Sequence, residues 1–462
     1  MLSALTAPER RRCRGGAALL DGSPTRFDED TLVDAWADRL SGRGRPGSPD
    51  TVAVYVNVPY CESRCRYCMY PSSVAGGGRH SAGFVDYLEQ RLRRVRHRLG
   101  QTRVSSMYVG GGTPSLLSAD ELGRLFGALE QTFDVKGDVT FEGHPSSLGG
   151  DKIDRLVSLG VNRISLGVQA TQPRVLAAVG RENPPLWALN AVAQRVIRHG
   201  VFLNVDLMIG LPTQTASDVT ADLRWALGLG PRCITLYRYQ PVPGLAAPSE
   251  RVTFADLSWP ALAARVLGAG YLPVWNGARD AFAASFFRPL PQRWPRSGAL
   301  PERLSGLAHL VRSGGFGRAL PARARLVHFT GFDVGAIHVM GFGPGAISHL
   351  YGGAWYRDDR SPAALNARTT PRLAGRTFRL EDELCIAVSE DLVRGRWVRR
   401  ADQLASVGLD PWALLDRLPE RLADALQRTK SRARLRLDHS EAAGAIRWLL
   451  EQSSKPPLSE RA

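Results

Sequence analysis

The stretch YVNVPYCESRCRYC, residues 55–68, decides how this chain is organised. Its three cysteines, Cys61, Cys65 and Cys68, have the spacing CxxxCxxC and follow an apolar run, residues 51–58, with the composition of a buried strand. Thiolates are soft ligands that select zinc or iron–sulfur clusters. Because a [4Fe–4S] cluster ordinarily has four cysteine ligands, a loop with three leaves one iron open to another molecule. The loop therefore predicts a metal centre at which chemistry can occur.

A structural zinc site is the alternative interpretation of these cysteines. Closed zinc sites use four ligands, and the nearest further candidate, His80, lies beyond a glycine-rich segment. The motifs that follow along the chain favour the iron–sulfur cluster.

Composition and charge limit the class of protein. At 462 residues the chain exceeds the length at which one core stops growing, about 250 to 300 residues, so we expect two domains. The net charge is +16, but lysine is rare and the arginines are scattered along the chain rather than gathered in a stripe. This pattern does not favour nucleic acid as a partner.

The cysteines and the hydropathy predict a cytoplasmic protein. Six unevenly spread cysteines do not form the pattern of a disulfide scaffold, and reduced thiolates fit a cytosolic compartment. No apolar run approaches about 18 residues, so we expect no membrane span. The first residues also lack the order of charged, apolar and small segments that marks a signal peptide.

From residue 51 onwards, apolar β-branched runs alternate with amphipathic stretches, as in βα units around a parallel sheet. We predict an α/β fold with a partial or full TIM-type (β/α) barrel, whose ligands bind at the C-terminal ends of the strands. The predicted strands are residues 51–58, 104–109, 138–142, 163–168, 202–208 and 233–239, and the predicted helices are residues 82–98, 118–132, 150–159, 185–199 and 215–228.

A polar residue or a glycine ends each predicted strand. Because parallel strands point the same way, these ends should converge on one mouth of the barrel. In chain order they are the cysteine loop, Gly110 to Pro114, Glu142, Gln169, Asp206, and Tyr237 with Tyr239 and Gln240.

The chain divides into further segments around this core. Residues 1–50 predict an N-terminal extension, and residues 51–350 the barrel, with a 280–325 loop insertion that is rich in Arg, Pro and Gly. The insertion is either a lid over the mouth or a plain insertion. Residues 375–452 predict a small, mostly helical C-terminal domain, and residues 453–462 a polar tail.

These motifs resemble the radical S-adenosylmethionine (SAM) superfamily, in which an aromatic residue, here Tyr67, precedes the last cysteine of the loop. The resemblance implies that SAM binds the open iron of the cluster and is split to methionine and a 5′-deoxyadenosyl radical. Over residues 50–350 it extends to the HemN-like branch, typified by oxygen-independent coproporphyrinogen III oxidase, with a weaker match in the C-terminal region. The segments that carry it are YVNVPYC, GGGTPSLLS, GVNRISLGVQA, NVDLMIGLPTQT and GFGPGAIS.

The resemblance also implies two SAM pockets, a trait of this branch. Carboxylates can bind ribose hydroxyls or an amino group, and an arginine can pair with a methionine carboxylate. Contacts to the SAM on the cluster are implied for Tyr55, Tyr67, Gly111, Glu142 and Ile347, and contacts to a second SAM for Gly112, Thr113, Gln169, Arg181, Asp206 and Gln240.

Several positions depart from the oxidases and the heme chaperones of this branch. Tyr70 stands where the oxidase usually has a fourth cysteine, and no Arg-Tyr-Thr-Ser-Tyr-Pro-like segment is found near the N-terminus. Residues 286–288, Phe-Phe-Arg, replace the His-Asn-x-x-Tyr-Trp-like segment of the heme chaperones. Asn57 replaces a family histidine, and His144 stands where Asn or Asp is common. These differences favour the class C radical SAM methyltransferases and cyclopropanases.

We therefore predict an enzyme that transfers a SAM-derived methylene radical to an sp² carbon of a small-molecule substrate, by C-methylation or cyclopropanation. A reductase, flavodoxin or ferredoxin is the expected electron donor. Two alternatives remain open. One is porphyrin or heme chemistry, such as decarboxylation of coproporphyrinogen III, which an arginine-rich mouth would suit. The other is a heme chaperone without catalysis.

Overall fold

The computed structural model of the chain describes residues 25–41, 52–68, 72–74, 79–239, 262, 265–266, 268–276, 283–287, 338–359, 361, 365, 371–393 and 398–436. Parts of the predictions lie outside these residues. They are residues 1–24 and 42–50 of the extension, residue 51 of the first predicted strand, Tyr70, Gln240, most of the 280–325 insertion, residues 437–452 of the C-terminal domain, and the tail at 453–462.

The centre of the molecule is a sheet of thirteen strands, in the order β1-β17-β16-β15-β14-β2-β6-β8-β9-β10-β11-β13-β12. Two pairs, β3 with β4 and β5 with β7, and one three-stranded sheet, β18-β20-β19, lie outside it. The strands are β1 (Thr25–Phe27), β2 (Val52–Val58), β3 (Tyr60–Cys61), β4 (Ser73–Val74), β5 (Thr102–Val104), β6 (Ser106–Gly111), β7 (Phe133–Val135), β8 (Val139–Gly143), β9 (Arg163–Gln169), β10 (Phe202–Ile209), β11 (Cys233–Arg238), β12 (Leu272–Asn276), β13 (Ala283–Phe287), β14 (His338–Phe342), β15 (Ile347–Leu350), β16 (Ala354–Asp358), β17 (Leu373–Thr377), β18 (Val398–Arg399), β19 (Leu426–Arg428) and β20 (Arg432–Leu435).

The middle of the main sheet is parallel, from β14 through β2, β6, β8, β9 and β10 to β11. Antiparallel strands flank it on both sides. The predicted α/β fold is therefore confirmed, in the form of a partial barrel, because the described strand order begins and ends with different strands. Strands β12, β13 and β14 were not predicted, and β13 lies inside the predicted 280–325 loop insertion.

Helices connect the parallel strands at the predicted places. Two of them begin with a reciprocal capping box, Ser118 with Glu121 and Thr215 with Asp218, which satisfies backbone N–H groups of the first turn. The helices are α1 (Glu29–Leu40), α2 (Arg79–Leu99), α3 (Ala119–Thr132), α4 (Gly150–Ser158), α5 (Pro173–Ala177), α6 (Leu186–Arg198), α7 (Ala216–Leu229), α8 (Leu380–Val393), α9 (Arg400–Val407), α10 (Pro411–Leu415) and α11 (Glu420–Ala423), with a 3-10 turn at Pro114–Leu116.

The two largest apolar clusters among the described residues hold most of these elements. The larger one lies between the parallel strands and their helices and includes Val54, Leu88 and Leu125. The smaller one includes Val388 and Leu414 and packs the C-terminal helices against the sheet of β18 to β20. None of the described helices is both long enough and apolar enough to span a membrane.

Candidate functional site

The cysteine loop follows β2, the second of the seven parallel strands in the described part of the sheet. Its backbone is fixed at two points, because the Arg66 N–H donates to the Val179 carbonyl (2.9 Å) and the Ser73 N–H donates to the Pro59 carbonyl (2.8 Å). The loop is thus anchored to the turn after α5 and to the end of its own strand. Its partly buried thiol groups, none of them in a disulfide, belong to Cys61, Cys65 and Cys68.

These thiols fit an iron–sulfur cluster better than a single ion. No three His, Cys, Asp or Glu side chains in the part of the chain that the structure describes converge on one ion position. A closed zinc site would need four ligands around one ion, with sulfur at about 2.3 Å. A cluster is larger, and its cysteines bind different iron atoms. The side chain of His80, the fourth zinc ligand considered, lies outside the described residues.

The glycine turn after β6 fits closely against the cysteine loop. A Cβ atom on Gly112 would lie 2.4 Å from the Tyr60 carbonyl oxygen and 3.0 Å from Cys61 Sγ. A Cβ atom on Gly111 would lie 2.3 Å from Asn57 Oδ1, and the φ of 112° at Gly111 disfavours any side chain. Only glycine permits this close approach of the two segments.

Glu142, at the end of β8, lies beside the glycine turn. Its carboxylate accepts hydrogen bonds from the Tyr108 hydroxyl (2.5 Å) and from the Gly111 N–H (3.0 Å). Burial raises the pKa of Glu142 to about 7, the Asp206 carboxylate adds to this increase, and the two hydrogen bonds oppose it. Near neutral pH this carboxyl group is therefore able to gain or lose a proton when a ligand arrives.

Asp206, on β10, is the second carboxylate inside the barrel. It accepts hydrogen bonds from the Ser165 hydroxyl (2.7 Å) and the Asn204 side-chain amide (2.8 Å). Burial raises its pKa, against the effect of these hydrogen bonds. The register between β9 and β10 shifts at Asp206 and Leu207, and such an irregularity re-aims side chains at a strand end.

Arg181 and Gln169 carry buried polar atoms that lack partners. Arg181 Nη1 lies 3.8 Å from Cys65 Sγ and 3.2 Å from the Tyr67 hydroxyl, and Nη2 donates to the Gly167 carbonyl. Arg181 Nε and Gln169 Oε1 have no hydrogen-bond partner among the described residues. Gln169 also has a φ of 71°, which costs roughly 1 kcal/mol for a residue other than glycine. Strain and unpaired polar atoms beside the cysteine loop are features of a ligand site.

The other predicted site residues lie at the same edge of the sheet. The Tyr55 hydroxyl donates to Asn57 Oδ1 (3.1 Å), and Thr113 is buried at the end of the glycine turn. Ile347 begins β15, and its carbonyl oxygen would lie 2.3 Å from a Cβ atom on Gly341. The roles of these residues as SAM contacts stay predictions.

Two supporting interactions were not predicted. Asn57 Nδ2 donates to the Pro344 carbonyl (2.5 Å) and ties the cysteine strand to the segment GFGPGAIS. On α7, Asp222 accepts hydrogen bonds from the Thr171 N–H and hydroxyl and from the Gln172 and Gln214 amides, at 2.6 to 3.3 Å. This second network joins the segments after β9 and β10. Gln214 belongs to the quoted segment NVDLMIGLPTQT, whereas no motif marks Asp222.

The sequence profile of the Radical SAM superfamily matches residues 56–226, which contain the cysteine loop, the glycine turn, both carboxylates and Arg181. This part of the chain matches a radical SAM domain. The match implies a [4Fe–4S] cluster and SAM as cofactors, and the thiols, the cradle at Gly112 and the unpaired polar atoms fit both groups.

Curated relatives of the radical SAM domain lie on the HemN-like branch. The chain is 30% identical over 193 residues to the heme chaperone HemW of Haemophilus influenzae, which covers 40% of this chain and 50% of the relative. It is 35% identical over 193 residues to HemW of Synechocystis, and this match covers 40% of this chain and 46% of the relative. It is 30% identical over 210 residues to the oxygen-independent coproporphyrinogen III oxidase of Salmonella typhimurium, with coverages of 45% and 46%. The chain spans about half the length of the curated relatives it matches.

A solved structure extends the likeness in fold. Coproporphyrinogen III oxidase (HemN) of Escherichia coli has a TM-score of 0.67 at 20% identity and covers 95% of this chain and 96% of its own. At this identity the match shows a common fold.

The comparisons overturn the predicted methyltransferase or cyclopropanase activity. The relatives of the radical SAM domain are heme chaperones and coproporphyrinogen oxidases, so they favour the porphyrin and heme alternatives. The prediction depended on single departures, and the structure gives at least one of them a structural role, since Asn57 binds the backbone of Pro344. Its residue type therefore does not report on the reaction.

Proposed function

We propose that the radical SAM domain acts on a tetrapyrrole and decarboxylates propionate side chains of the coproporphyrinogen type, with two SAM molecules bound. The observation that carries the proposal is its similarity, across the region of the site, to proteins named for heme and coproporphyrinogen III. Both kinds of relative handle macrocycles that carry propionates. The buried guanidinium of Arg181, with its unpaired Nε, supports binding of a carboxylate.

Different residues of the site would hold the cluster and orient SAM. Cys61, Cys65 and Cys68 would hold the cluster, and Glu142, oriented by the Gly111 N–H, would bind polar groups of SAM. Together the cluster and SAM supply, when bound, a 5′-deoxyadenosyl radical that removes hydrogen from an unactivated carbon.

The proposed reaction turns a propionate into a vinyl group. The side chain loses one hydrogen atom, one electron and CO₂, and a carbon–carbon double bond forms where the carboxylate leaves. The hydrogen atom passes to the 5′-deoxyadenosyl group, and the electron passes to a one-electron acceptor, an oxidised redox protein. A reductase, flavodoxin or ferredoxin would supply the electron that SAM cleavage needs.

An anaerobic assay with coproporphyrinogen III tests the proposal. Reconstituted protein, SAM and a reductant should release CO₂ and give products with vinyl groups, seen by mass spectrometry after oxidation to porphyrins. Cys65→Ala should abolish product, whereas Cys385→Ala, in the C-terminal core, should retain it. Cleavage of SAM without any decarboxylated product would contradict the proposal.

A heme chaperone is the second candidate, because several of the relatives bear that name. It predicts binding of heme in a fixed ratio to protein, measured by the Soret band, and no decarboxylation of coproporphyrinogen III. The two assays, run on one preparation, separate the candidates.

A further inference from the structure

His144 follows β8, and its imidazole is held in one tautomer. Nδ1 accepts a hydrogen bond from the Ser146 backbone N–H (3.2 Å) and lies 2.6 Å from the Ser146 hydroxyl. A backbone N–H can only donate, so Nδ1 carries no proton and the ring proton is on Nε2. His144 is therefore a neutral group with one N–H to offer.

That N–H has no acceptor in the described part of the chain. The hydrogen bonds of His144 involve its backbone and Nδ1, and none involves Nε2. The side chain of His144 is only partly exposed. Burial, and then the charge of Arg181, lower the pKa of His144 to about 3, which keeps the ring neutral at physiological pH.

The surroundings of His144 carry positive charge and border the cysteine loop. Its backbone N–H donates to the Ser115 hydroxyl (3.0 Å), and the Lys152 ammonium group donates to the Ser115 carbonyl. Ser115 follows the glycine turn that contacts Cys61. Arg181, which contacts Cys65, offers a second buried N–H without a partner, Nε. Two unused N–H donors beside fixed positive charge are the environment that binds a carboxylate.

We propose that His144 binds a ligand carboxylate at the mouth of the barrel, through Nε2–H and beside Arg181. The proposal deepens the proposed function and rests on it, because both ligands of that function carry carboxylates. One source is the methionine part of a SAM molecule, and the other is a propionate of the tetrapyrrole. Either source satisfies the same donors, so the experiment must distinguish them.

Binding measurements on reconstituted full-length protein make the distinction. The probes are SAM, measured by anaerobic equilibrium dialysis, and coproporphyrin III, measured by fluorescence quenching, with its tetramethyl ester as the probe without carboxylates. His144→Gln and His144→Met have side chains of nearly equal length, but only glutamine keeps an N–H donor. Their comparison isolates the donor, and iron content and thermal unfolding verify that both variants are folded. His97→Gln, on an exposed face of α2, is the matched control.

We expect His144→Met to bind one of the two carboxylate probes about tenfold more weakly than His144→Gln, as for loss of a hydrogen bond to a charged group. Weaker binding of SAM assigns the carboxylate to SAM, and weaker binding of coproporphyrin III, with the ester unaffected, assigns it to a propionate. Equal affinities of the two variants for both probes would overturn the proposal. It would also be overturned if His144→Met bound the ester more weakly by the same factor as coproporphyrin III, or if the wild-type protein bound neither probe. A failure to decarboxylate coproporphyrinogen III would leave the binding difference intact, so the two proposals fail separately.

Discussion

At the scale of single residues, the glycine turn after β6 leaves almost no space around the cysteine loop. We expect Gly112→Ala to lower the iron content of reconstituted protein several-fold, because the new Cβ would lie 2.4 Å from the Tyr60 carbonyl oxygen and displace the loop. Iron and sulfide analysis measures the effect. Gly127→Ala, in α3, meets open space and should keep its iron while gaining about 0.5–1 kcal/mol of stability. Normal iron content in Gly112→Ala would show that the loop is not constrained in this way.

The raised pKa of a second residue, Glu142, predicts that the stability of the protein depends on pH. Burial raises its pKa from 4.5 to about 7, so the folded state holds the proton more tightly than the unfolded state does. The resulting stabilisation is complete below the unfolded pKa and is lost as the pH rises through the folded pKa. Without SAM, wild-type protein should therefore lose stability relative to Glu142→Gln as pH rises from about 5 to 8. Urea unfolding at several pH values measures this, and parallel curves for the two proteins would contradict it.

The metal-binding chemistry of the cysteine loop was predictable, because thiolates at this spacing select few kinds of metal centre. The reaction was not predictable. At Tyr70, Asn57 and His144 the residue type reveals only what a side chain can donate or accept. The side-chain amide of Asn57 is hydrogen-bonded at both ends, to the Tyr55 hydroxyl and the Pro344 carbonyl, and no pattern in the sequence indicates these bonds. The proposed substrate class therefore rests on similarity to named relatives over about half of their length.

At the scale of elements, helix α7 fixes the segments that carry Gln169 and the end of β10. Removal of the Asp222 carboxylate leaves the N–H and hydroxyl of Thr171 without their acceptor, and it takes one of several acceptors from the Gln172 and Gln214 amides. We expect Asp222→Ala to lower the free energy of unfolding by about 2–3 kcal/mol, measured by urea unfolding. Glu130→Ala, on the exposed side of α3, should change it by less than about 0.5 kcal/mol. A small effect at Asp222 would mean that water replaces the carboxylate.

The parallel strands β2, β6, β8, β9, β10 and β11 were predictable to within about two residues, since β-branched runs and their amphipathic helices alternate regularly. Strand β14 was not, because its partner β2 lies far away in the chain and no local pattern reports such a pairing. The short helix α5, Pro173–Ala177, was also missed, since one turn and a half has too few residues to show a period.

At the scale of the whole molecule, a buried ionic network joins the N-terminal helix α1 to the barrel. Arg91 on α2 lies 2.7 Å from Glu29 and 3.5 Å from Asp358, and all three side chains are largely buried. Arg91→Ala leaves the two carboxylates without this partner, and we expect a loss of about 3–5 kcal/mol in the free energy of unfolding. Arg98→Ala breaks an exposed pair with Asp34 and should cost at most about 1 kcal/mol. Equal effects of the two substitutions, in chemical denaturation, would refute the distinction.

The C-terminal region is joined to the barrel by another buried contact. His349 on β15 lies 2.7 Å from the Glu383 carboxylate on α8, which also accepts a hydrogen bond from the Gly352 N–H. The apolar spacing of α8 was visible in the sequence, whereas this contact was not, because its partners lie 34 residues apart and no local pattern links them.

The pairing of β2 with β14 has a consequence for how the protein is made. The strand that leads into the cysteine loop is bordered by β6 on one side and by β14 on the other. During translation the three thiols leave the ribosome long before residues 338–342 are synthesised. Until those residues arrive, the loop sits at an open edge of the nascent sheet, without the anchor from Asn57 to Pro344. We therefore expect iron and sulfide to be inserted after β14 has been synthesised. In a fragment that ends before β14, the three thiols should be more easily oxidised.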